Sequence, residues 1–290
     1  MAGGMGSRYG GLKQVDSFGP NNESILDYSI YDALGAGFDK IVILSSPKLE
    51  NYFIEKYQGI FKNIDNCQLD IVIQDPSYGL GNHSLPETRE KPWGTGHAVL
   101  CCENVIKNSF CIINADDFYG GEAFKKILDT LKYIESNNIQ ASVVSYLIEN
   151  TLSDFGGVSR GVCETNESTL TGIRETHELT RVDDIIIGKY DNKEVKFPLG
   201  TQVAMNLIGF QKNVFSKLRN DFKEFLSKNL NHPRNEFLIP DVVNDLIKEK
   251  VFVQKTSESW FGVTYQEDKK FVKKNIKNLV NDGVYPTPLW

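Results

Sequence analysis

The chain has 290 residues, of which 40% are hydrophobic and 24% are charged, and its formal net charge is -6. This length permits one large α/β domain or two smaller ones, and the composition excludes a disordered or fibrous chain. The acidic balance argues against nucleic acid or an anionic membrane surface as the main partner. No apolar run approaches the ~20 residues of a membrane-spanning helix, and the N-terminus lacks the apolar stretch of a secretory signal, so we expect a cytoplasmic protein.

Strand-length apolar runs alternate with helical segments in the first half of the chain. Strands are predicted over residues 40–46, 69–74 and 109–114, each nearly continuous in apolar residues, as buried parallel strands are. Apolar residues at helical spacing precede the first strand, and this predicted helix ends at Gly37. The alternation predicts an α/β fold with a Rossmann-like mixed, mainly parallel sheet and helices on both faces.

The second half contains more strands and fewer helices between them. The predicted strands cover residues 140–148, 157–164, 170–175 and 203–210. Because loops rather than regular helices separate these strands, we expect a mixed or antiparallel extension of the sheet. Two helical patterns, a short strand at 251–255 and an amphipathic helix at about 267–280 complete the chain.

A glycine-rich segment with two cations opens the chain. Five glycines lie between residues 3 and 11, and glycines without a Cβ let backbone N–H groups approach phosphate oxygens closely. Arg8 and Lys13 add positive charge, and no G-K-[ST] sequence follows, so this is not a Walker loop. The alternative is a flexible N-terminal tail. Such a turn normally follows a strand, so we expect further residues before Met1 that form a short apolar run.

Two adjacent carboxylates, Asp116 and Asp117, follow the strand predicted at 109–114. The carboxyl ends of strands are where α/β sheets bind ligands. A hard cation takes carboxylate oxygens together with substrate phosphates, which this arrangement can supply. The alternative is that an aspartate here caps the next helix, a role that we assign to Asp117.

The order G-G-x-G-x-R followed by K-Q resembles the fingerprint of the sugar-1-phosphate nucleotidyltransferase family, L-A-x-G-x-G-[ST]-R followed by a lysine. In that family the loop wraps the triphosphate of an NTP. The resemblance implies a GT-A-like nucleotidyltransferase whose cofactor is Mg²⁺, with Asp116 at the metal-binding position of the family's L-x-G-D motif. It implies catalytic roles for Arg8, Lys13 and Asp116, and nucleotide binding by Ala2, Gly3, Gly4, Gly6 and Ser7.

A second pair of matches concerns the base. Gln74 ends a predicted strand, and residues 94–98 read Gly-Thr-Gly-His-Ala, which resembles the family's base-binding glutamine and G-T-[AG]-H-A turn. The resemblance implies that Gln74, Gly94 and Thr95 bind the nucleotide, with UTP or dTTP favoured. A glutamine amide offers both a donor and an acceptor to a pyrimidine edge. For Gln74 alone, the alternative is an ordinary polar residue at the surface.

Three further matches concern the acceptor. Residues 155–158 resemble the Y-G-x-[VI] segment, residues 173–175 resemble I-x-E, and residues 205–206 resemble the strand-borne asparagine that contacts sugar hydroxyls. The resemblance implies that Gly157, Glu175 and Asn206 bind the acceptor. For each of these three residues, the alternative is a purely structural role.

The chain departs from the family pattern at two places. Many members have a lysine directly after the glutamate, and this lysine contacts the acceptor phosphate. This chain has Thr176 there, and Arg174 or Arg181 is the candidate substitute for the lysine. Near the end, Gly262 stands where the W-x-D-V-G-T-P-E-D segment has a second metal-binding aspartate. Asp241 or Asp117 is then the candidate source of the missing oxygens.

We therefore expect one domain, residues 1–290, with a nucleotide-binding half (1–120), an acceptor-binding half (121–262) and a C-terminal helix and tail (263–290). The expected partners are an NTP and a sugar 1-phosphate, with no nucleic acid or membrane, and a homo-oligomer stays open. Two other functions also stay open. One is a cytidylyltransferase acting on phosphocholine or another small phosphate ester, and the other is a non-catalytic nucleotide-sugar-binding regulatory protein.

Overall fold

The computed structural model describes residues 1–3, 15–153, 156–263 and 266–290. In these parts the α-helices are α1 (Ile25–Ala36), α2 (Glu50–Phe61), α3 (Thr95–Leu100), α4 (Gly121–Ser136), α5 (Val214–Asn229), α6 (Ile239–Leu246) and α7 (Asp268–Asn281). The strands are β1 (Lys40–Ser45), β2 (Gln68–Ile73), β3 (Phe110–Ile112), β4 (Asp117–Phe118), β5 (Ala141–Leu147), β6 (Val158–Asn166), β7 (Thr169–Val182), β8 (Ile185–Tyr190), β9 (Lys193–Pro198), β10 (Gln202–Phe210), β11 (Val251–Lys255) and β12 (Phe261–Gly262). A 3₁₀ helix, Ile148–Thr151, follows β5.

The predicted helices and strands are present, and most of their ends agree within two residues. Helix α1 ends as expected at Gly37, whose φ of 106° is the left-handed conformation that glycine tolerates at a helix end. Strand β7 continues to Val182, past the predicted end at residue 175, and the hairpin of β8 and β9 is absent from the prediction. Most residues in the second half of β7 and in β9 are exposed, so these strands carry no continuous apolar pattern.

The strands form one large mixed sheet and two small ones. The large sheet has the order β11-β5-β10-β6-β7-β8-β9, and β3 also pairs with β10. The pairs β1–β2 and β5–β11 are parallel. The other recorded pairs are antiparallel, which differs from the mainly parallel sheet that the sequence predicts. Short turns join the consecutive pairs β6–β7, β7–β8 and β8–β9 and exclude a parallel crossover there, and β10 runs antiparallel to β3, β5 and β6.

Helices cover both faces of the large sheet. On one face, Phe222 of α5 shares a buried cluster with Val143 of β5 and with side chains of α6. On the other face, Phe124 of α4 shares a cluster with Val144 of β5. The α/β class is therefore confirmed. None of the helices in the described parts has both the length and the apolar composition to cross a bilayer.

Candidate active site

Three parts of the chain meet at the carboxyl ends of β1, β2 and β3. The Ala2 N–H donates to the carbonyl oxygen of Leu44 over 2.6 Å, and the Ala115 N–H donates to that of Met1 over 3.1 Å. The first residues therefore lie between β1 and the segment after β3. The Gln74 N–H donates to the Ser45 carbonyl oxygen over 3.1 Å, which places the end of β2 at the same edge.

This arrangement brings Ala2, Gly3, Gln74 and Asp116 to one edge of the parallel strands. The carboxyl ends of such strands are the usual ligand-binding edge of α/β folds. Five other predicted residues, Gly4, Gly6, Ser7, Arg8 and Lys13, lie outside the described residues. Their roles in phosphate binding and catalysis stay predictions from the sequence.

Hydrogen bonds hold the acidic segment that follows β3. The Asn114 side-chain amide donates to Asp117 Oδ2 over 2.9 Å, and the Asn114 backbone N–H donates to the Tyr119 hydroxyl over 3.1 Å. Asp117 begins strand β4, whereas Gly120 is the residue that precedes helix α4. The prediction that Asp117 caps this helix is therefore wrong. Pairing of β4 with β12 takes Asp117 into a strand, and Glu258 Oε1 instead accepts a backbone N–H in the first turn of α4.

The Asp117 carboxylate lies beside Gly262. These two residues are register partners in the antiparallel pair β4–β12, and the rings of Phe118 and Phe261 stack next to them at 4.3 Å. A Cβ on Gly262 would lie 2.5 Å from Asp117 Oδ1, so the carboxylate occupies the space that a side chain at position 262 would need. Asp241, the other candidate, lies in the first turn of α6.

The oxygens at this edge suit Mg²⁺ by their chemistry. Asp116 and Asp117 are hard carboxylate ligands on consecutive residues, and Mg²⁺ commonly uses one or two carboxylates together with water and substrate phosphates. In the parts of the chain that the structure describes, no group of three or more His, Cys, Asp or Glu side chains could hold an ion. Water and substrate phosphate oxygens would complete the coordination of an ion held by this pair.

Buried His97 fixes the side-chain amide of Gln74. Burial lowers the pKa of His97, so the ring is neutral, and its Nε2–H donates to the carbonyl oxygen of Tyr78 over 2.9 Å. Nδ1 is then an acceptor, and it receives a hydrogen bond from Gln74 Nε2 over 3.3 Å. Gln74 Nε2 also donates to the Gly94 carbonyl oxygen over 3.0 Å. Both amide hydrogens are used, which leaves Gln74 Oε1 as the atom that can meet a ligand.

Gly94 and Thr95 are held against the segment that leads into α6. The φ of Gly94 is 96°, and a Cβ there would lie 2.5 Å from the carbonyl oxygen of Phe237. The Thr95 hydroxyl accepts the N–H of Ile239 over 3.0 Å. Trp93, at the end of the preceding loop, is fully buried and donates from Nε1 to Pro76 over 2.8 Å. Packing explains the glycine at 94, and nucleotide binding by both residues stays a prediction.

The predicted acceptor residues lie on the antiparallel extension. Glu175 is the register partner of Gly161, and burial raises the pKa of its carboxyl group. Asn206 has a φ of 60° within the irregular stretch of β10, a left-handed conformation that asparagine tolerates and that redirects its side chain. A Cβ on Gly157 would lie 2.8 Å from the Cα of Glu178, so close packing explains this glycine. Acceptor binding by these residues stays a prediction.

The two arginines proposed to replace the lysine are engaged in other contacts. Arg174 forms an ion pair with Glu164, and its guanidinium lies 5.6 Å from the centre of the Tyr190 ring. Arg181 donates from Nε to the carbonyl oxygen of Asp183 over 2.9 Å, in the turn after β7.

Sequence reasoning missed Arg160, whose guanidinium lies 4.6 Å from the centre of the Trp260 ring. It also missed Tyr119, His97 and the contact of Asp117 with Gly262. An arginine inside a strand of small and apolar residues was the available signal for Arg160. The other three depend on contacts between segments that are distant in the chain.

Comparison with known proteins gives one family and a set of similar folds. A family profile described as nucleotidyl transferase matches residues 1–231.

A structure described as a glucose-1-phosphate thymidylyltransferase from Bacillus anthracis, in complex with sucrose, has a TM-score of 0.63 at 14% identity. The alignment covers 96% of this chain and 93% of that structure's chain. The inositol-1-phosphate CTP transferase from T. maritima has a TM-score of 0.59 at 12% identity, covering 95% and 94%. A UDP-glucose pyrophosphorylase complexed with UDP-glucose has a TM-score of 0.55 at 17% identity, covering 96% of each chain. No curated protein sequence matches the chain significantly.

Proposed function

Since the chain belongs to the nucleotidyl transferase family, we propose that it transfers a nucleoside monophosphate from an NTP to a sugar 1-phosphate and releases pyrophosphate. Membership of the family makes the chain an enzyme. The observation that carries the proposal is the convergence of Gly3, Gln74 and the pair Asp116–Asp117 at one edge of the parallel strands. Fold similarity to a thymidylyltransferase and a UDP-glucose pyrophosphorylase supports the choice of a sugar 1-phosphate.

The proposed reaction needs no proton transfer from a side chain. An oxygen of the acceptor phosphate bonds to the α-phosphorus of the NTP, and the bond from that phosphorus to the bridging oxygen of pyrophosphate breaks. The attacking phosphate is already ionised at neutral pH, so the protein's contribution is positioning and charge neutralisation. The sequence assigns neutralisation of the leaving group to Arg8 and Lys13.

Asp116 and Asp117 are the residues that would hold Mg²⁺ in this proposal. The bound ion would supply positive charge to the phosphate oxygens during the transfer. Asn114 keeps Asp117 in place by donating to Oδ2, and Oδ1 lies beside Gly262. The acidic loop is thus fixed before a substrate arrives, which is what transition-state stabilisation by charge requires.

The fixed amide of Gln74 supports UTP or dTTP as the nucleotide. Its Oε1 presents an acceptor, because His97 and Gly94 take both hydrogens of Nε2. Uracil and thymine carry a donor at N3, whereas cytosine carries an acceptor there. If Gln74 Oε1 lies opposite N3 of the base, it can accept a hydrogen bond from uracil or thymine. With cytosine, two acceptors, Oε1 and N3, would face each other without a hydrogen between them.

Glu175 and Asn206 are the proposed contacts to sugar hydroxyls. Glu175 lies on β7 opposite Gly161 of β6, and Asn206 lies on β10, where its backbone conformation turns the side chain out of the regular strand alternation. A carboxylate and an amide can together accept from and donate to neighbouring hydroxyl groups.

Pyrophosphate release in the presence of Mg²⁺ tests the proposal directly. The panel pairs UTP, dTTP, CTP, ATP and GTP with glucose 1-phosphate, other sugar 1-phosphates, inositol 1-phosphate and phosphocholine. We expect the highest rate with UTP or dTTP and a sugar 1-phosphate, and we expect Asp116→Ala and Arg8→Ala each to remove most turnover in folded protein. The highest rate with CTP and phosphocholine would favour the cytidylyltransferase alternative. No release with any pair would leave the regulatory alternative and contradict catalysis.

A further inference from the structure

Hydrogen bonds and an aromatic ring fix the guanidinium of Arg160 beside the candidate site. Its Nε and one of its Nη groups donate to the carbonyl oxygen of Thr151, and Nη1 donates to that of Ser159 over 2.8 Å. The planar group lies over the ring of Trp260, 4.6 Å from its centre. These contacts hold the guanidinium in one orientation, and Arg160 forms no ion pair with any residue in the described parts of the chain.

Two hydrogens of the guanidinium stay open to a ligand. Arginine has five N–H donors, and the contacts to Thr151 and Ser159 use three of them. The remaining two lie on the two Nη atoms, one on each. One N–H on each Nη atom can donate to a separate oxygen of a phosphate.

The surroundings keep Arg160 charged although it is only partly exposed to water. Burial lowers its pKa to about 10, and Asp117, Glu175 and Asp268 oppose this change, so the group stays protonated at neutral pH. A charged donor in a place with little water binds an anion more strongly than an exposed one does. Exposed arginines such as Arg174 and Arg181 lack this advantage.

The position of Arg160 suits the phosphate group of the acceptor. Asp117 belongs to the proposed metal side of the site, and Glu175 belongs to the proposed sugar side. Arg160 is close enough to influence both electrostatically. In a sugar 1-phosphate that reaches from Glu175 towards the α-phosphate of the nucleotide, the phosphate lies between these two carboxylates.

We propose that Arg160 binds the phosphate group of the acceptor. It would take the role of the lysine that many family members have directly after the position of Glu175. This inference rests on the proposed function. The two remaining N–H groups would hold two oxygens of the phosphate monoester and leave the third to attack the NTP. Thr151, Ser159 and Trp260 would act as positioning residues, because they fix the guanidinium before the acceptor binds.

The experiment compares the wild-type chain with Arg160→Gln and Arg160→Lys, using Arg219→Gln, at an exposed arginine of helix α5, as the matched control. Calorimetry measures binding of glucose 1-phosphate, glucose and inorganic phosphate, and steady-state kinetics measures KM for both substrates of the best pair in the pyrophosphate panel. We expect Arg160→Gln to weaken glucose 1-phosphate binding and raise the acceptor KM roughly 30-fold, as loss of a charge-assisted contact does. The KM for the NTP should stay within about twofold, and Arg219→Gln should behave as wild type.

Arg160→Lys keeps the charge and loses the paired N–H geometry, so we expect an intermediate effect in a protein with near-normal thermal stability. An unchanged acceptor KM in Arg160→Gln would overturn the inference, and so would an equal rise in both KM values or a rise for the NTP alone. Wild-type protein that binds neither glucose 1-phosphate nor inorganic phosphate would also overturn it. A wild-type chain that binds glucose 1-phosphate through Arg160 but releases no pyrophosphate with any pair would support the inference and contradict the proposed function.

Discussion

The Tyr119 hydroxyl donates a hydrogen bond to the carbonyl oxygen of Met205 over 3.0 Å and accepts one from the Asn114 N–H over 3.1 Å. Tyr119 is fully buried, and its hydroxyl also lies 3.4 Å from Asp117 Oδ2. One side chain therefore connects the acidic loop with the residue before Asn206. The metal side and the sugar side of the proposed site are joined through the interior of the protein.

Tyr119→Phe should destabilise the fold and loosen the acidic loop. The change removes the donor to Met205 and leaves the partly buried Asn114 N–H without its acceptor, so we expect a loss of about 1–3 kcal/mol in the free energy of unfolding. Urea unfolding measures this loss. Tyr133→Phe, on the exposed side of α4, is the control and should change little. Equal stability of the two variants would show that the hydroxyl network contributes nothing.

Asp117→Asn should weaken metal binding if Asp117 supplies the second carboxylate. We expect the Mg²⁺ concentration at half-maximal activity, and the dissociation constant for Mn²⁺ followed by electron paramagnetic resonance, to rise at least about tenfold. Gly262→Ala should act in the same direction, because its Cβ would lie 2.5 Å from Asp117 Oδ1 and would displace the carboxylate. Asp241→Asn is the control. If Asp241→Asn weakens Mn²⁺ binding and Asp117→Asn does not, Asp241 is the ligand.

His97→Phe should reduce discrimination between UTP and CTP. Phenylalanine can retain the packing against Phe222, whose ring centre lies 4.7 Å from that of His97, but it cannot accept a hydrogen bond from Gln74. The Gln74 amide can then rotate and offer a donor to cytosine. We expect the ratio of kcat/KM for UTP over CTP to fall roughly tenfold. His83→Phe, an exposed change in the loop before α3, is the control. A ratio that stays at the wild-type value in His97→Phe would contradict the role of His97.

Asp32 should make stability depend on pH. Its side chain is 9% exposed, and Tyr285 donates to Oδ2 over 2.7 Å. Burial raises its pKa from 3.8 to about 7, so the folded state binds more protons than the unfolded state between these values. Stability from this group is therefore present in acid and is lost as the pH rises through about 7, with an upper limit of roughly 4 kcal/mol.

Asp32→Asn removes this titration. We expect the variant to gain stability relative to wild type as the pH is raised from 5 to 8, measured by urea unfolding at each pH. The control is Asp129→Asn, because Asp129 is largely exposed on α4. If the difference between Asp32→Asn and wild type is the same at both pH values, the buried carboxyl group does not titrate in this range.

The sequence alone predicted the α/β class, most helix and strand positions, the family and the order of the motifs along the chain. These features depend on local signals, since apolar runs form strands and a left-handed glycine such as Gly37 ends a helix. The structure brings Ala2, Gly3, Gln74 and Asp116 to one edge of the strands, and their roles in binding stay predictions. The hairpin of β8 and β9 escaped prediction because its exposed strands carry little apolar pattern.

Only the tertiary structure decided which side chains meet. Asp117 could be read as a helix cap until β4 paired with β12 and set its carboxylate beside Gly262. The amide orientation of Gln74 and the enclosed position of Arg160 likewise depend on partners that lie far away in the chain. Such contacts follow from strand pairing and burial across the whole fold, so no local sequence pattern contains them.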